Sequence, residues 1–151
     1  MKTSFVRILL LSAVIAGMAR DVHAQQSDAA VILQFERAAD TYAFAHRQDD
    51  RRGTTPARLV EGEFFTPIAA AAFRARIRSV AGCNTPERGE GGAVVPSVTA
   101  SSAGTIPLPS CLADVLPHLP EELEYRAAGV ALLLTDAHRG IVVDVLHAAF
   151  P

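Results

Sequence analysis

Lysine is almost absent from this sequence: Lys2 is the only one in 151 residues, and tryptophan does not occur at all. Residues 1–24 have the features of a removable leader, so we expect the mature chain to contain no lysine. Such a chain forms no lysine Schiff base, does not hold pyridoxal phosphate by its usual linkage and does not complete a Walker-type phosphate loop. These enzyme classes are excluded, although the missing residue indicates no activity of its own.

A second absence is a long hydrophobic run. A short positive start, Met1–Arg7, precedes the apolar segment Ile8–Ala19, and Val22–Ala24 resembles a cleavage point, as in a secretory signal peptide. The apolar segment is shorter than the roughly 20 residues that a membrane span requires. The sequence therefore predicts a signal peptide over 1–24 and a single exported domain over 25–151, periplasmic or secreted, with no transmembrane segment after signal removal.

Positive charge is scarce as well. Residues 25–151 carry eleven arginines against fifteen carboxylates, which gives a net charge of −4. Nucleic-acid binding relies on clustered Lys and Arg, so an acidic chain without an arginine-rich stripe argues against a nucleic-acid partner. We expect no cofactor. The sequence identifies no partner, and another envelope protein is the class that export favours.

Only two cysteines are present, Cys83 and Cys111, and both follow the predicted leader. Cysteine pairs of exported proteins usually oxidise, whereas a catalytic dithiol usually has the Cys-x-x-Cys spacing that this pair lacks. We therefore predict a structural disulfide across 28 sequence steps. The chain-entropy model gives such a loop a stabilisation of roughly 3.5 kcal/mol.

Two segments have helical periodicity. The first runs from Ser27 to about Gln48, where apolar residues recur at alternating steps of four and three. The second begins at the capping residue Thr66, has Pro67 in its first turn and ends before Gly82. The apolar stripe of the first helix consists of Val31, Phe35, Ala38, Tyr42 and Ala45, and that of the second of Phe73, Ile77 and Val80.

The rest of the chain divides into a loop and a predicted sheet. Residues 84–109 are rich in Gly, Pro and Ser without a sustained period, which is typical of a flexible loop that adds little to a core. Apolar residues alternate from Leu123 as in a half-buried strand, which ends at Gly129. Val130–Thr135 is apolar on both faces, as in a central strand, and the turn Asp136–Gly140 leads to a last strand at Ile141–Leu146. The sequence thus predicts an α+β fold: two amphipathic helices packed on a C-terminal antiparallel β-meander of about three strands.

Short motifs at both ends of the predicted domain carry a resemblance to a known family. They are Leu-Glu-Tyr-Arg at 123–126 and Ile-Val-Val-Asp at 141–144, with Gly129, Asp136 and the closing Pro151 around them. Upstream they include Phe-Phe-Thr-Pro at 64–67 and, in the first helix, Phe35, Tyr42, His46 and Arg47. In these motifs the chain resembles a family of small exported bacterial proteins of unknown function.

The resemblance leaves out the loop 84–109 and has two departures. Members of that family often have a further helix before the Phe-Thr-Pro segment and Asn where Gly140 stands. Since Gly and Asn are the residues that best tolerate a positive φ, the second departure supports a turn at this position. The resemblance implies a shared fold and export, and it implies no activity.

Four residues of the predicted meander are candidates for chemistry: Asp136, His138, Asp144 and His147. Histidines and carboxylates on neighbouring strands bind divalent metals or act as a base and its orienting group. Against this interpretation, Asp144 and His147 differ by an odd step, which places them on opposite faces of a strand. His138 lies in a turn, where polar side chains are common. A structural or surface role is the commoner explanation for each residue, and we predict no metal site.

Two further features have both structural and functional interpretations. Asp144 lies between Val143 and Val145, so it needs a partner if it is buried, and Arg126 is the partner we expect. Arg74 and Arg78 share one helical face and form a candidate anion-binding pair. Pairing of these arginines with the many carboxylates of the chain is the commoner arrangement.

Two functional hypotheses follow. The first is a non-enzymatic exported protein, either a binding module or an envelope-associated structural module. The alternative is a small periplasmic enzyme or metal-binding protein that uses the Asp and His residues of the meander. Convergence of those side chains, or of Arg74 with Arg78, in one concave site would favour the alternative.

Overall fold

The computed structural model describes residues 28–49, 51–52, 58–80, 82–83 and 94–150. The predicted signal peptide and residues 84–93 of the predicted loop lie outside these ranges. Within them, helices and a C-terminal antiparallel sheet form an α+β fold, which confirms the predicted class. No helix in the described ranges is both long and apolar enough to cross a bilayer.

Helix α1 (28–49) confirms the first predicted helix, but its buried face differs from the predicted stripe. The buried side chains are Ile32, Phe35, Ala39, Ala43 and His46. Of the predicted stripe, Phe35 is buried, Val31, Ala38 and Tyr42 are half-buried, and Ala45 is exposed. The apolar surface of α1 is wider than its contact with the core, so a second apolar stripe lies beside the buried one.

Helix α2 (Pro67–Ser79) begins where the sequence predicted. The Thr66 hydroxyl accepts a hydrogen bond from the Ala69 backbone N–H at 3.3 Å, and Pro67 occupies the first turn. Phe73 and Ile77 are buried as expected, whereas Val80, after the last helical residue, is half-buried. A further single turn, α3 (Ser110–Ala113), follows the predicted loop.

Four antiparallel strands form one sheet in the order β1-β2-β3-β4. They are β1 (Ile106–Pro107), β2 (Leu123–Ala128), β3 (Ala131–Asp136) and β4 (Ile141–Leu146). The three long strands are the predicted meander. Gly129 and Gly140 lie in its two turns with φ of +55° and +63°, a conformation that side chains with a Cβ rarely adopt.

The sheet has a different apolar cluster on each face. On one face, Leu132 and Leu134 of β3 pack with Phe35 of α1 and Phe73 of α2 in the larger cluster of the protein. Phe35 is central there, with its ring centroid 4.7 Å from that of Phe73. The opposite face forms a smaller cluster around Leu133. Both faces of β3 are covered, which explains its continuous apolar sequence.

A β-bulge in β4 sets the direction of Asp144. Val143 is an extra residue between two positions of β4 that are paired with β3. With strict alternation from Ile141, Asp144 would lie on the face opposite the helices. The bulge shifts the alternation by one residue. Asp144 therefore lies on the helix-facing side, together with Leu134 and Leu146.

The described part of the predicted loop differs from expectation, because residues 94–109 follow the sheet. Residues 99–102 exchange backbone hydrogen bonds with the outer edge of β4, and β1 pairs with the outer edge of β2. Val95 and Val98 pack on the smaller apolar cluster. Pairing with strand edges is a long-range contact, so the local composition of the segment did not reveal it.

Cys83 and Cys111 form the predicted disulfide, with their Cα atoms 6.1 Å apart. The bond joins the chain just after α2 to the short helix α3. Both ends of the predicted loop are therefore tied to the helical side of the fold.

Candidate functional site

The carboxylate of Asp144 is fully buried, and its oxygen atoms accept hydrogen bonds from backbone N–H groups. It accepts hydrogen bonds from the N–H groups of Gly62 at 2.7 Å, Phe64 at 2.8 Å and Phe65 at 2.8 Å, and from that of Val145 at 2.8 Å. These bonds attach the segment before α2 to the centre of the sheet. Asp144 therefore has a structural role, and its partners are not those that the sequence suggested.

The expected pairing of Asp144 with Arg126 is wrong. The Arg126 guanidinium instead donates to the hydroxyl and the carbonyl oxygen of Thr105 and to Glu124 Oε1. It thereby fastens the segment before β1 to β2. The physical reason is the bulge, which turns Asp144 toward the helices, where unpaired backbone N–H groups supply the required donors.

Asp136 is the second fully buried carboxylate, and it joins α1 to the β3–β4 turn. Its Oδ2 accepts a hydrogen bond from the Tyr42 hydroxyl at 3.0 Å and lies 2.9 Å from Nε2 of His46. Its Oδ1 accepts from the backbone N–H groups of His138 at 3.0 Å and Arg139 at 2.8 Å. The carboxylate thus orients two aromatic side chains of α1.

His46 is the residue of this cluster that the candidate set omitted. It is buried, with 3% of its surface exposed, and it lies on α1, more than eighty residues before Asp136. Its signal in the sequence was weak, because it appeared only among the residues that carry the family resemblance. The sequence feature that indicates it is a histidine on the apolar side of the first helix, one turn after Tyr42.

His138 lies beside this cluster on the surface, with its ring centroid 5.9 Å from that of His46. Nearby, Arg47 donates a hydrogen bond to Glu122. Burial raises the pKa of Glu122, but its own backbone N–H and the Arg47 guanidinium outweigh that effect and leave the pKa below its usual value. His46, Arg47, Glu122 and His138 all line a small cavity of about 330 Å³.

The remaining candidates lie elsewhere. His147 is exposed, past the end of β4, and its Nε2 is 3.0 Å from Glu61 Oε1. Arg74 donates to the carbonyl oxygens of His147 at 2.8 Å and Ala148 at 3.2 Å, while Arg78 is exposed. The structure therefore brings Asp136 and His138 together at one end of the sheet, and leaves Asp144, His147, Arg74 and Arg78 apart from them.

The half-buried stripe of α1 lines a groove made of two adjoining cavities. One cavity of about 440 Å³ lies between α1 and residues 58–64, with Tyr42 and His46 in its wall. The other, of about 500 Å³, lies between α1 and the first turn of α2. The two cavities share Ala38, Glu63 and Phe64. We call this surface the α1 groove.

The α1 groove contains the stripe that sequence periodicity assigned to the core. Ala38, Tyr42 and Ala45 line its first cavity, and Val31, Phe35 and Ala38 line its second. The pattern thus identified an apolar face correctly but could not show that the fold leaves this face partly uncovered. Both cavities have the size of small-molecule sites, which span about 300–1,000 Å³.

Within the described residues, no three His, Cys, Asp or Glu side chains are placed so that they could hold a metal ion. Asp136 and His46 form a close pair, but the other contacts of this carboxylate are made by a hydroxyl and by backbone N–H groups. The geometry of the pair is that of an oriented imidazole rather than of a metal centre.

Comparisons with protein-family models, with curated proteins and with solved structures gave no match for this chain.

We expect Asp144→Asn to lower the free energy of unfolding by about 3 kcal/mol, because the amide NH₂ would face backbone donors that are then unsatisfied. Urea unfolding measures this change. The matched control is Asp40→Asn, an exposed position on α1 where a change within about 0.5 kcal/mol is expected. Equal effects of the two substitutions would contradict the anchoring role of Asp144.

A second prediction concerns stability at high pH. Burial, and then the charge and hydrogen bond of Asp136, raise the pKa of Tyr42, although Arg139 acts in the opposite direction. The folded state therefore holds this proton more tightly than the unfolded state, and the resulting stability is lost as the pH rises above about 10.

We expect Tyr42→Phe to reduce this loss, with a slope between about pH 10 and 11.5 that is up to roughly 1.4 kcal/mol per pH unit shallower than in the wild type. Tyr125 is the other tyrosine of the chain, and burial raises its pKa too, so part of the slope remains in the variant. Urea unfolding at several pH values gives the slopes. Identical slopes for the two proteins would refute the assignment.

Proposed function

We propose that this protein is an exported, non-enzymatic module that binds a small molecule in the α1 groove. The observation that carries the proposal is the second apolar stripe of α1, which touches the core on one side and lines two adjoining cavities on the other. Apolar surface left in a concave site is the usual mark of a ligand pocket, since a fold gains by covering such surface when nothing else occupies it.

The hydrogen-bond network around the α1 groove supports binding. Asp136 holds Tyr42 and His46 on the α1 wall of the groove, and Asp144 holds Phe64 on the opposite wall. Both carboxylates are fully buried, and both accept hydrogen bonds from other groups of the protein. The groove walls are therefore fixed before a ligand arrives, which reduces the ordering cost of binding.

Nucleophilic catalysis has less support. None of the serines that the structure describes lines the α1 groove, and both cysteines are joined in the disulfide. The hydroxyl of Thr41 lies in the groove wall but donates to the Arg37 carbonyl at 2.7 Å. In the described residues the groove thus lacks an activated nucleophile beside the Asp136–His46 pair.

General-base catalysis is the second candidate function, and one observation favours it. His46 lies 2.9 Å from a buried carboxylate and lines two cavities, and a carboxylate beside an imidazole is the pairing of a general base with its orienting group. In this alternative His46 would activate water. Steady turnover of an ester such as 4-nitrophenyl acetate, abolished in His46→Gln, would favour catalysis over binding.

The proposal of export is supported by the leader pattern of residues 1–24 and is compatible with the disulfide. We expect intact-mass analysis of the protein from the envelope or the medium to show a chain that begins at Gln25 with the disulfide formed. A chain that keeps Met1 in those fractions would contradict export. A mass two hydrogens above the disulfide form would show free thiols.

The binding proposal is tested with 8-anilinonaphthalene-1-sulfonate, an anionic dye with an apolar ring system whose fluorescence reports transfer of the rings from water. We expect the wild-type protein to bind the dye and Ala45→Phe to weaken binding at least about tenfold, because the new ring occupies the first cavity. The matched control is Ala29→Phe, an exposed position of α1 outside the α1 groove, which should bind like the wild type. Equal binding of the dye by all three proteins would contradict the proposal.

A further inference from the structure

We propose that the ligand of the α1 groove is a single-chain fatty-acid carboxylate, with its chain in the cavity beside α2 and its carboxylate in the cavity beside His46. This inference rests on the proposed binding function and names the chemistry of the ligand. It is carried by the course of the groove along α1, by the different lining of its two ends and by the helical wall, whose backbone groups are already bonded.

The α1 groove extends along most of α1. It follows one flank of α1 from Val31 to Asp49, which corresponds to roughly 27 Å at the rise of an α-helix. The two cavities adjoin at Ala38, Glu63 and Phe64, which line both of them. A path of this form fits an extended chain better than a compact molecule.

The two ends of the groove differ in polarity. Ile68, with 67% of its surface exposed, and Pro67 form part of the cavity beside α2, and no arginine lines this cavity. Arg37, Arg58 and Arg139 all line the other cavity. The arginines are therefore collected at one end, as a ligand with one anionic terminus requires.

Two carboxylates, Asp49 and Glu63, also line the cavity beside His46, so the arginines exceed them by one. Arg139 also lies close enough to the Tyr42 hydroxyl to lower the pKa of that group. Arg37 and Arg58 are the exposed arginines of this cavity, and we assign Arg58, on the wall opposite α1, to the ligand carboxylate. Guanidinium groups bind carboxylates through paired, charge-assisted hydrogen bonds.

The walls of the groove argue against a peptide ligand. One wall is α1, and its backbone groups are already bonded within the helix. A bound peptide strand would need donors and acceptors for its own backbone, as at an open sheet edge, and a helical wall does not supply them. A fatty acid needs hydrogen bonds only at its head group, which matches the single cluster of arginines.

The test compares the binding of dodecanoate and dodecanol by isothermal titration calorimetry at neutral pH. We expect dodecanoate to bind at least about tenfold more tightly, because charged hydrogen bonds contribute on the order of 1.5–3 kcal/mol and each 1.4 kcal/mol is tenfold. Arg58→Gln should remove most of this difference. Arg78→Gln, exposed on α2 and outside the groove, should keep it.

A second variant tests the position of the chain. Ile68→Asp places a carboxylate in the cavity beside α2, and it should weaken dodecanoate binding at least about tenfold while leaving octanoate binding nearly unchanged. Acidic residues in the first turn of a helix are favourable, so this variant should fold. Ala71→Asp, exposed on the same helix and outside the groove, is the matched control and should bind both acids normally.

Equal affinities for dodecanoate and dodecanol, or equal effects of Arg58→Gln and Arg78→Gln, would overturn the head-group assignment. Binding to phosphatidylglycerol vesicles without affinity for dodecanoate would also overturn it, because the anionic partner would then be a membrane surface. These results differ from failure of the proposed function, in which the dye binds equally well to the wild type, Ala45→Phe and Ala29→Phe.

Discussion

The hydrogen bonds between the buried carboxylate of Asp144 and the backbone of residues 62–65 are the constraint on which the rest of the structure depends. They fix the segment that enters α2, and this segment supplies Phe64 and Phe65 to the aromatic core around Phe35. Since charged hydrogen bonds are stronger than neutral ones, one side chain holds a loop, a helix start and a strand together. The same contact also forms one wall of the α1 groove.

Asp136 plays a parallel part at the other end of the sheet. It closes the β3–β4 turn through two backbone N–H groups and holds the last turns of α1 through Tyr42 and His46. The two carboxylates together determine how α1 and residues 58–64 lie relative to the sheet. The α1 groove is the space between these elements, so the two buried carboxylates also determine the shape of the apolar site.

Much of the fold was predictable because its signals are local. The cap at Thr66, the apolar pattern of the three long strands and the glycines at the turns each depend on a few neighbouring residues, and the cap, the strands and the turns are confirmed. The candidate site was harder to predict from the sequence. Asp136 was identified as a candidate, but its partners Tyr42 and His46 come from α1, about ninety residues earlier, and the strand pattern does not indicate such a contact.

The sequence by itself determined the α+β class, the bounds of the main elements, the cysteine pair and the presence of an apolar stripe on α1. These properties follow from spacing and from local backbone preferences. Only the tertiary structure decided that the stripe lines a groove, that residues 94–109 cover the sheet edges and that Asp144 faces the helices. All three depend on contacts between residues that are far apart in the sequence. The direction of Asp144 is the clearest case, because one bulge residue, Val143, reverses the strand alternation and no local pattern specifies where a strand gains an extra residue.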